Sequence, residues 1–311
     1  MRVSMCGYLF MAALGIGFAW LTQSQAILLD GVYSLVSFVM AMLASRVVKL
    51  VDLPESDTFH FGFAHFEPWL NAVRGLLILV LCSFAFFSAV SSLFHGGREL
   101  KAGIAVIYGI VAALGCVSIA SLQYRNSRRA NSPVLAVDAR NWMIDGVLSG
   151  VVGIAFVASW LLQGAETFRH WIPYVDPLLV SVLVIAMSPV PFRMFFDNLK
   201  EVFFVAPDST SQTEIRNKVE SAVQDLPARK VNVRMVKIGR FAYLFIHVVV
   251  EEDYTVGSVK QLDDIRQRIY RSLDVSPLRL VTDIVFTCQE NWMWGLEPPK
   301  NESGLPEDTE K

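Results

Sequence analysis

The sequence predicts a membrane all-α domain of six transmembrane helices followed by a small α+β domain of order αββαβ, and three observations predict it. Of 311 residues, 53% are hydrophobic and only 18% charged, against about 25% charged in an average soluble domain. The apolar residues gather in long runs up to about residue 190, where lipid accepts surfaces that water rejects. After Pro207 the runs give way to short alternating and amphipathic patterns. The expected domains are therefore 1–207 in the membrane and 208–292 as the compact α+β unit, with a disordered Pro-, Glu- and Gly-rich tail over 293–311.

A membrane span needs roughly 20 apolar residues to cross about 30 Å of hydrocarbon. Segments 4–22, 26–48, 68–94, 102–122, 138–162 and 174–190 meet that requirement. The first lies where a signal peptide would lie. Its basic start is only Arg2, no small-residue cleavage site follows, and a second span begins almost at once, so a retained helix is expected. Lys and Arg concentrate in alternate connections: Arg46 and Lys49 after span two, Arg125, Arg128 and Arg129 after span four, Arg193 and Lys200 after span six. That bias predicts a multi-pass cell-membrane protein with both termini cytoplasmic.

In the second unit, Ser211-Gln-Thr-Glu214 has the capping-box pattern, followed by Ile215, Val219, Ala222 and Val223 at helical spacing. Segments Val231–Ile238 and Phe241–Val250 flank Gly239-Arg240 and predict a hairpin. A helix over about 258–273, with Leu262, Ile265, Ile269 and Leu273 on one face, precedes a strand at Arg279–Phe286. The net charge of -2 offers no basic surface for nucleic acid. Cys6, Cys82, Cys116 and Cys288 are too far apart in sequence to suggest a disulfide framework or a close metal cluster.

Ionisable groups at membrane depth are expensive and hence informative. Span two carries Asp30-Gly-Val-Tyr-Ser-Leu-Val-Ser37, and span five opens with Asp138-Ala-Arg-Asn-Trp-Met-Ile-Asp145. Asp30, Tyr33 and Ser37 share a helix face, as do Asp138, Asn141 and Asp145, because steps of three and four residues return to one side. If the stripes face each other they form an oxygen-rich pocket for a cation. Asp30 and Asp145 are its best anionic ligands, and Tyr33, Ser37 and Asn141 supply neutral oxygen. Asp138 either joins the pocket or pairs with Arg140 or Arg129. The competing reading is a set of interhelical hydrogen bonds with no ion.

These residues carry a resemblance to the cation diffusion facilitator family of divalent-metal transporters, over about residues 5–290. Asp30–Ser37 and Asp138–Asp145 resemble the family's D-x-x-H-S-L-x-D and D-x-x-H-x-x-x-D stretches in spans two and five. Phe61-Gly-Phe-Ala-His-Phe-Glu67, Asp176-Pro177 and Glu201-Val-Phe-Phe-Val-Ala-Pro207 resemble its further motifs, in the same order. The resemblance implies a homodimeric transporter, paired through the cytoplasmic domain, that exports a divalent cation in exchange for protons. It implies no enzyme activity and no resident cofactor.

The sequence departs from the family at its transport ligands. Tyr33, Ser37, Asn141 and Asp145 stand at those four positions, and only Asp145 is of the usual type. Zinc favours thiolate, imidazole and carboxylate, whereas this oxygen set suits manganese or magnesium better, or a site shifted one turn to include Asp30 and Asp138. The departure also opens a second expectation, a non-transporting scaffold or ion-responsive regulator that keeps the fold. Near span three, His60, His65 and Asp57 are either a second, interfacial metal site or an ordinary wet loop. His247 occupies the place of a family histidine ligand in the cytoplasmic domain. Its expected neighbour in the preceding strand is Arg234 or Met235, so a core or hydrogen-bonded histidine is the simpler expectation.

Overall fold

The computed structural model describes residues 2–53, 56–98, 101–130, 133–162, 170–273 and 278–293. The chain divides into two compact units, Met1–Leu199 and Lys200–Lys311.

The first unit contains α1 (Arg2–Thr22), α2 (Gln25–Val51), α3 (Phe66–Phe94), α4 (Ala102–Ala130), α5 (Pro133–Leu162) and α6 (Ile172–Met187). A turn at Ser188 leads into α7 (Pro189–Val202), and α6 with α7 forms the last of six helical stretches long and apolar enough to cross a membrane. Phe84, Phe87, Phe94, Leu114 and Ile154 are exposed on these helices, a surface that hydrocarbon stabilises and water does not. Two helices exceed their predicted bounds by at least five residues. α4 continues past residue 122 because its basic segment is itself helical, with the Arg128 guanidinium donating 2.8 Å to the Tyr124 hydroxyl one turn back. α5 starts at Pro133 rather than 138, since a proline is well suited to a first helical position.

The helices pack as α1 against α2 and α4, α4 against α5, and α3 against α2 and α6. Two pairs approach closely through glycine. A Cβ on Gly15 would lie 2.5 Å from the Gly31 Cα, and one on Gly109 would lie 2.4 Å from the Gly153 Cα. Such contacts let dispersion act between backbones where no hydrophobic effect drives helices together.

Polar clasps close the two ends. At one end Ser24 caps α2, its hydroxyl accepting from the Ile27 amide at 3.2 Å and donating to Asp176 at 2.5 Å. Asp176 also accepts from the Gln25 and Ala26 amides at 2.9 and 3.3 Å. The Arg98 amide donates to the Pro173 carbonyl at 2.8 Å and the Lys101 amide to Thr22 at 3.4 Å. The connections after α1 and α3 thus meet the start of α6. At the other end Ser4 of α1 and Gln123 of α4 both donate to Asp138 of α5, the latter at 2.8 Å.

The second unit has the predicted order: α8 (Ser209–Ala222), β1 (Ala228–Ile238), β2 (Phe241–Val250), α9 (Val259–Ser272) and β3 (Arg279–Thr287), then a 3₁₀ turn at Glu290–Met293. β1 and β2 pair antiparallel through the Gly239-Arg240 hairpin, where Gly239 has φ +56°. β3 joins β2 in parallel, with α9 as the crossover a parallel pair requires. Ala242, Leu244, Ile246 and Val248 form the β2 core face with Ile215 and Val219 of α8 and Ile265 and Ile269 of α9.

One local expectation is corrected. The capping box at Ser211–Glu214 does not start α8. Asp208 does, accepting from the Ser211 amide at 2.9 Å. An ionised carboxylate suits the positive end of a helix better than a hydroxyl, and the Ser211 amide and hydroxyl hold Asp208 below the usual carboxylate range. Asp208→Ala is expected to fray this turn, read as several-fold faster hydrogen exchange at the Ser211 and Gln212 amides with the remainder of α8 unchanged. The expected tail over 293–311 lies outside the described residues beyond Met293. Met293 itself is fully buried, and its carbonyl accepts from Arg234.

Candidate functional site

The inward face of α5 is marked by a buried tryptophan, Trp142. Trp142 is 1% exposed and stacks on Tyr8 of α1 with ring centroids 4.5 Å apart. Ala139, Ser149, Val152 and Phe156 line the same buried side. With Trp142 inside, Asn141 lies about 100° round the helix and is exposed, whereas Asp138 and Asp145 flank the buried row and are half-buried. The structure therefore does not bring Asn141 in beside Asp145.

On α2, Gly31, Ser34 and Ser37 form the buried face, and Asp30 and Tyr33 are half-buried beside it. Asp30 accepts 2.5 Å from the Tyr108 hydroxyl of α4 and 3.5 Å from the Ser149 hydroxyl of α5. It thus ties three helices together. α2 and α5 are not among the closely packed helix pairs of the described residues, so these side chains bridge a gap that backbone contact does not close. Ser37, 1% exposed, holds its hydroxyl oxygen buried without a hydrogen-bond partner.

The three carboxylates therefore differ. Asp138 is engaged through one carboxylate oxygen by Ser4 and Gln123 and not by Arg140 or Arg129, the partners its neighbours suggested. Asp30 is held by two hydroxyls. Asp145 has neither a hydrogen bond nor an ion pair within 4.0 Å among the described residues, although Asp30, Arg74 and Asp138 all lie within electrostatic range of it. No group of three or more His, Cys, Asp or Glu gathers at metal-binding distance among those residues. Any ion here would rest on one or two carboxylates and neutral oxygens, a donor set for a hard, partly hydrated cation rather than zinc.

Sequence reasoning missed Tyr108 and Ser149, which anchor Asp30, and Arg74. Arg74 lies in α3, half-buried, with its Nε fully buried and without a hydrogen-bond partner. It is an electrostatic neighbour of Tyr8, Tyr33 and Asp145.

A family model for the cation efflux transmembrane domain matches residues 1–202. The chain belongs to the cation diffusion facilitator family. Members of this family are transporters that generally mediate divalent-metal efflux. The chain is 24% identical over 226 residues to the magnetosome protein MamB of Paramagnetospirillum magneticum, covering 71% of this chain and 69% of that protein. It is 26% identical over 141 residues to the cation-efflux pump FieF of Escherichia coli, covering 45% of this chain and 47% of that pump. With MamB of Magnetospirillum gryphiswaldense it shares 25% identity over 158 residues, 50% of each chain. Against the last two, the match spans only about half of each relative's length.

Elsewhere in this family member, His60 and Asp57 are exposed, while His65 packs its ring on Phe66 with centroids 4.5 Å apart. His247 stands on the sheet face opposite the helices. Its cross-strand partner is Asn232, not Arg234 or Met235, because the two-residue hairpin pairs Ile238 with Phe241 and fixes the register from there. His247 Nδ1 and Asn232 Nδ2 are both buried without hydrogen-bond partners. Burial, then the Arg234 charge, pushes the His247 imidazole below its ordinary value, with Asp283 opposing. Folded His247 therefore binds a proton less readily than the same residue in the unfolded chain. Stability rises with pH where the unfolded state holds more protons, and it is lost as pH falls through the ordinary histidine range near 6.5. Hydrogen-exchange protection of β2, corrected for intrinsic pH dependence, is expected to fall between pH 7.5 and 5.5, and His247→Gln to flatten that fall.

Proposed function

We propose that this chain is a secondary transporter of the cell membrane that exports a divalent cation from the cytoplasm, in exchange for protons. The observation that carries this reading is Asp145: a carboxylate at membrane depth with no hydrogen-bond or ion-pair partner among the described residues. Ser37 on α2 also holds a buried hydroxyl without a hydrogen-bond partner. An acid left free at such a place is costly unless its charge has a use. A cation arriving from the cytoplasm would bind between α2 and α5, with Asp145 as the charged ligand and Tyr33 and Ser37 as neutral oxygen. Asp30 orders the pocket from α2. Exposure to the far side, and a proton on Asp145, would then release the ion. The Arg128–Arg129 end of α4, with Arg46 and Lys49 of α2, supports a cytoplasmic location for both termini. Half-buried Phe241, Tyr243 and Phe245, on the sheet face away from the helices, support a homodimer through the cytoplasmic domain.

The test is ion flux into sealed proteoliposomes, with manganese, magnesium, zinc, cobalt, cadmium and iron(II), each with and without a pH gradient. Saturable uptake is expected, stronger for manganese or magnesium than for zinc, and steeper with the gradient. No uptake of any ion by inserted protein would replace this reading with the scaffold or regulator.

A further inference from the structure

The sheet of the second unit has one face under α8 and α9. On its other face, strand register sets Phe241, Tyr243 and Phe245 in a column along central strand β2, with Arg234 of β1 and Asp283 of β3 on either side of Phe245. The 3₁₀ turn Glu290–Met293 comes back onto this face and is pinned there at both ends. Glu290 pairs with Lys230 at 3.1 Å, the Met293 carbonyl accepts from Arg234, and the Met293 side chain is fully buried. At the base of the turn the Gln289 amide donates to the Thr287 hydroxyl at 3.1 Å, and the Trp292 amide donates to the Gln289 carbonyl at 3.4 Å. Between the pins, Trp292 remains 67% exposed.

Burying a tryptophan removes about 150–250 Å² of largely apolar surface from water. Here the chain fixes a short turn firmly and leaves the largest side chain of that turn outside. A residue held in this way has already lost its backbone freedom, so meeting a partner forfeits little further entropy. Tryptophans placed so carry a disproportionate share of the energy of interfaces.

Two features fit a second copy of this chain as the partner. The turn adjoins the aromatic column that the homodimer reading uses, through Arg234 beside Phe245, so Trp292 extends that surface. The face also carries both signs of charge, Lys230, Arg234 and Arg279 with Asp283 and Glu290. A two-fold interface sets one surface against itself. A face of mixed sign can cross its own charges there, where a face of one sign would repel.

We propose that Trp292 is an anchor of the homodimer: the pinned turn presents its indole to the second copy, which buries it on the sheet face away from the helices. The proposal rests on the homodimer reading above and adds the residue that fixes the contact.

The test is dilution of the full-length protein in detergent, with dimers read by energy transfer between copies that carry donor and acceptor at their N-termini. Trp292→Ala is expected to weaken dimerisation at least about tenfold, and Trp292→Phe to weaken it less. At dilutions where wild type is monomeric, Trp292→Ala should melt as wild type does, because the exposed indole supports no fold. Arg234→Ala, which frees the turn but keeps the tryptophan, should also weaken the dimer. Unchanged dimerisation in Trp292→Ala beside weaker dimerisation in Tyr243→Ala would overturn the anchor and leave the homodimer reading intact. Unchanged dimerisation in both would remove the interface from this face, and wild type monomeric at every concentration would overturn the reading and the anchor together. Tighter dimerisation in Arg234→Ala would overturn the proposal too, since the turn would then block the face.

Discussion

Asp145→Ala is expected to insert and fold yet lose cation flux by roughly 30- to 150-fold. The estimate follows from removing a charged ligand worth roughly 2–3 kcal/mol, where each 1.4 kcal/mol is about tenfold. The fold should tolerate the change, because Asp145 makes no hydrogen bond or ion pair among the described residues. Asp30→Ala is the informative contrast. It strips the acceptor from the Tyr108 and Ser149 hydroxyls, and a buried donor left unsatisfied costs about 1–3 kcal/mol. Its main signature should therefore be a lower melting temperature, with flux lost in step with folded protein. Proteoliposome uptake normalised to inserted protein separates the two, and full flux in Asp145→Ala would remove that residue from the site.

Gly109→Val should be the most damaging of the small-residue substitutions in the bundle. Its Cβ alone would come within 2.4 Å of the Gly153 Cα, and what it meets is backbone, which has no rotamer to change. α4 and α5 must then separate or slide. Overpacking costs about 1–3 kcal/mol when side chains can adjust, and more is expected here. Because the same two helices carry Tyr108, Ser149 and Asp145, flux should fall together with thermal stability. Gly150→Val is the control, since a Cβ there meets nothing within 4 Å. An equally stable Gly109→Val would mean that the two helices do not meet at this glycine pair in the membrane.

The membrane half was legible because its signal is length and polarity, which lipid reads with little regard for tertiary detail. The αββαβ order was legible for a related reason: period-2 and period-3.6 patterns alternate cleanly between Ser211 and Phe286. Helix ends were less so. Asp208 lies before the apolar periodicity begins, and the Tyr124–Arg129 segment looks like a loop until the Arg128–Tyr124 contact makes it helix. In the site, spacing showed that Asp138, Asn141 and Asp145 share a side of α5, but not which angle points inward. Stacking between Tyr8 and Trp142 decides that angle, and no pattern within α5 encodes a partner on α1. Tyr108 and Ser149 are ordinary residues in apolar runs and gain a role only through Asp30. Arg74 did have a signal, a lone cation inside a span, and it is the residue a search for carboxylate motifs passes over.

The clasp of Ser24 and Asp176 makes α2 a lever with its fulcrum near one end. Asp176 holds the first turn of the helix, and the Gly15–Gly31 contact holds the next turns against α1. At 1.5 Å of rise per residue, Ser37 lies about 9 Å beyond that pivot and Val51 about 30 Å beyond it. A tilt of about 10° would leave Asp30 nearly where it is, shift Ser37 by less than about 2 Å, and sweep the Val51 end through about 5 Å. Under such a tilt, small adjustments around the carboxylates would be geared up into a wide excursion at the opposite membrane surface, and spin labels at the two ends of α2 would report very different amplitudes.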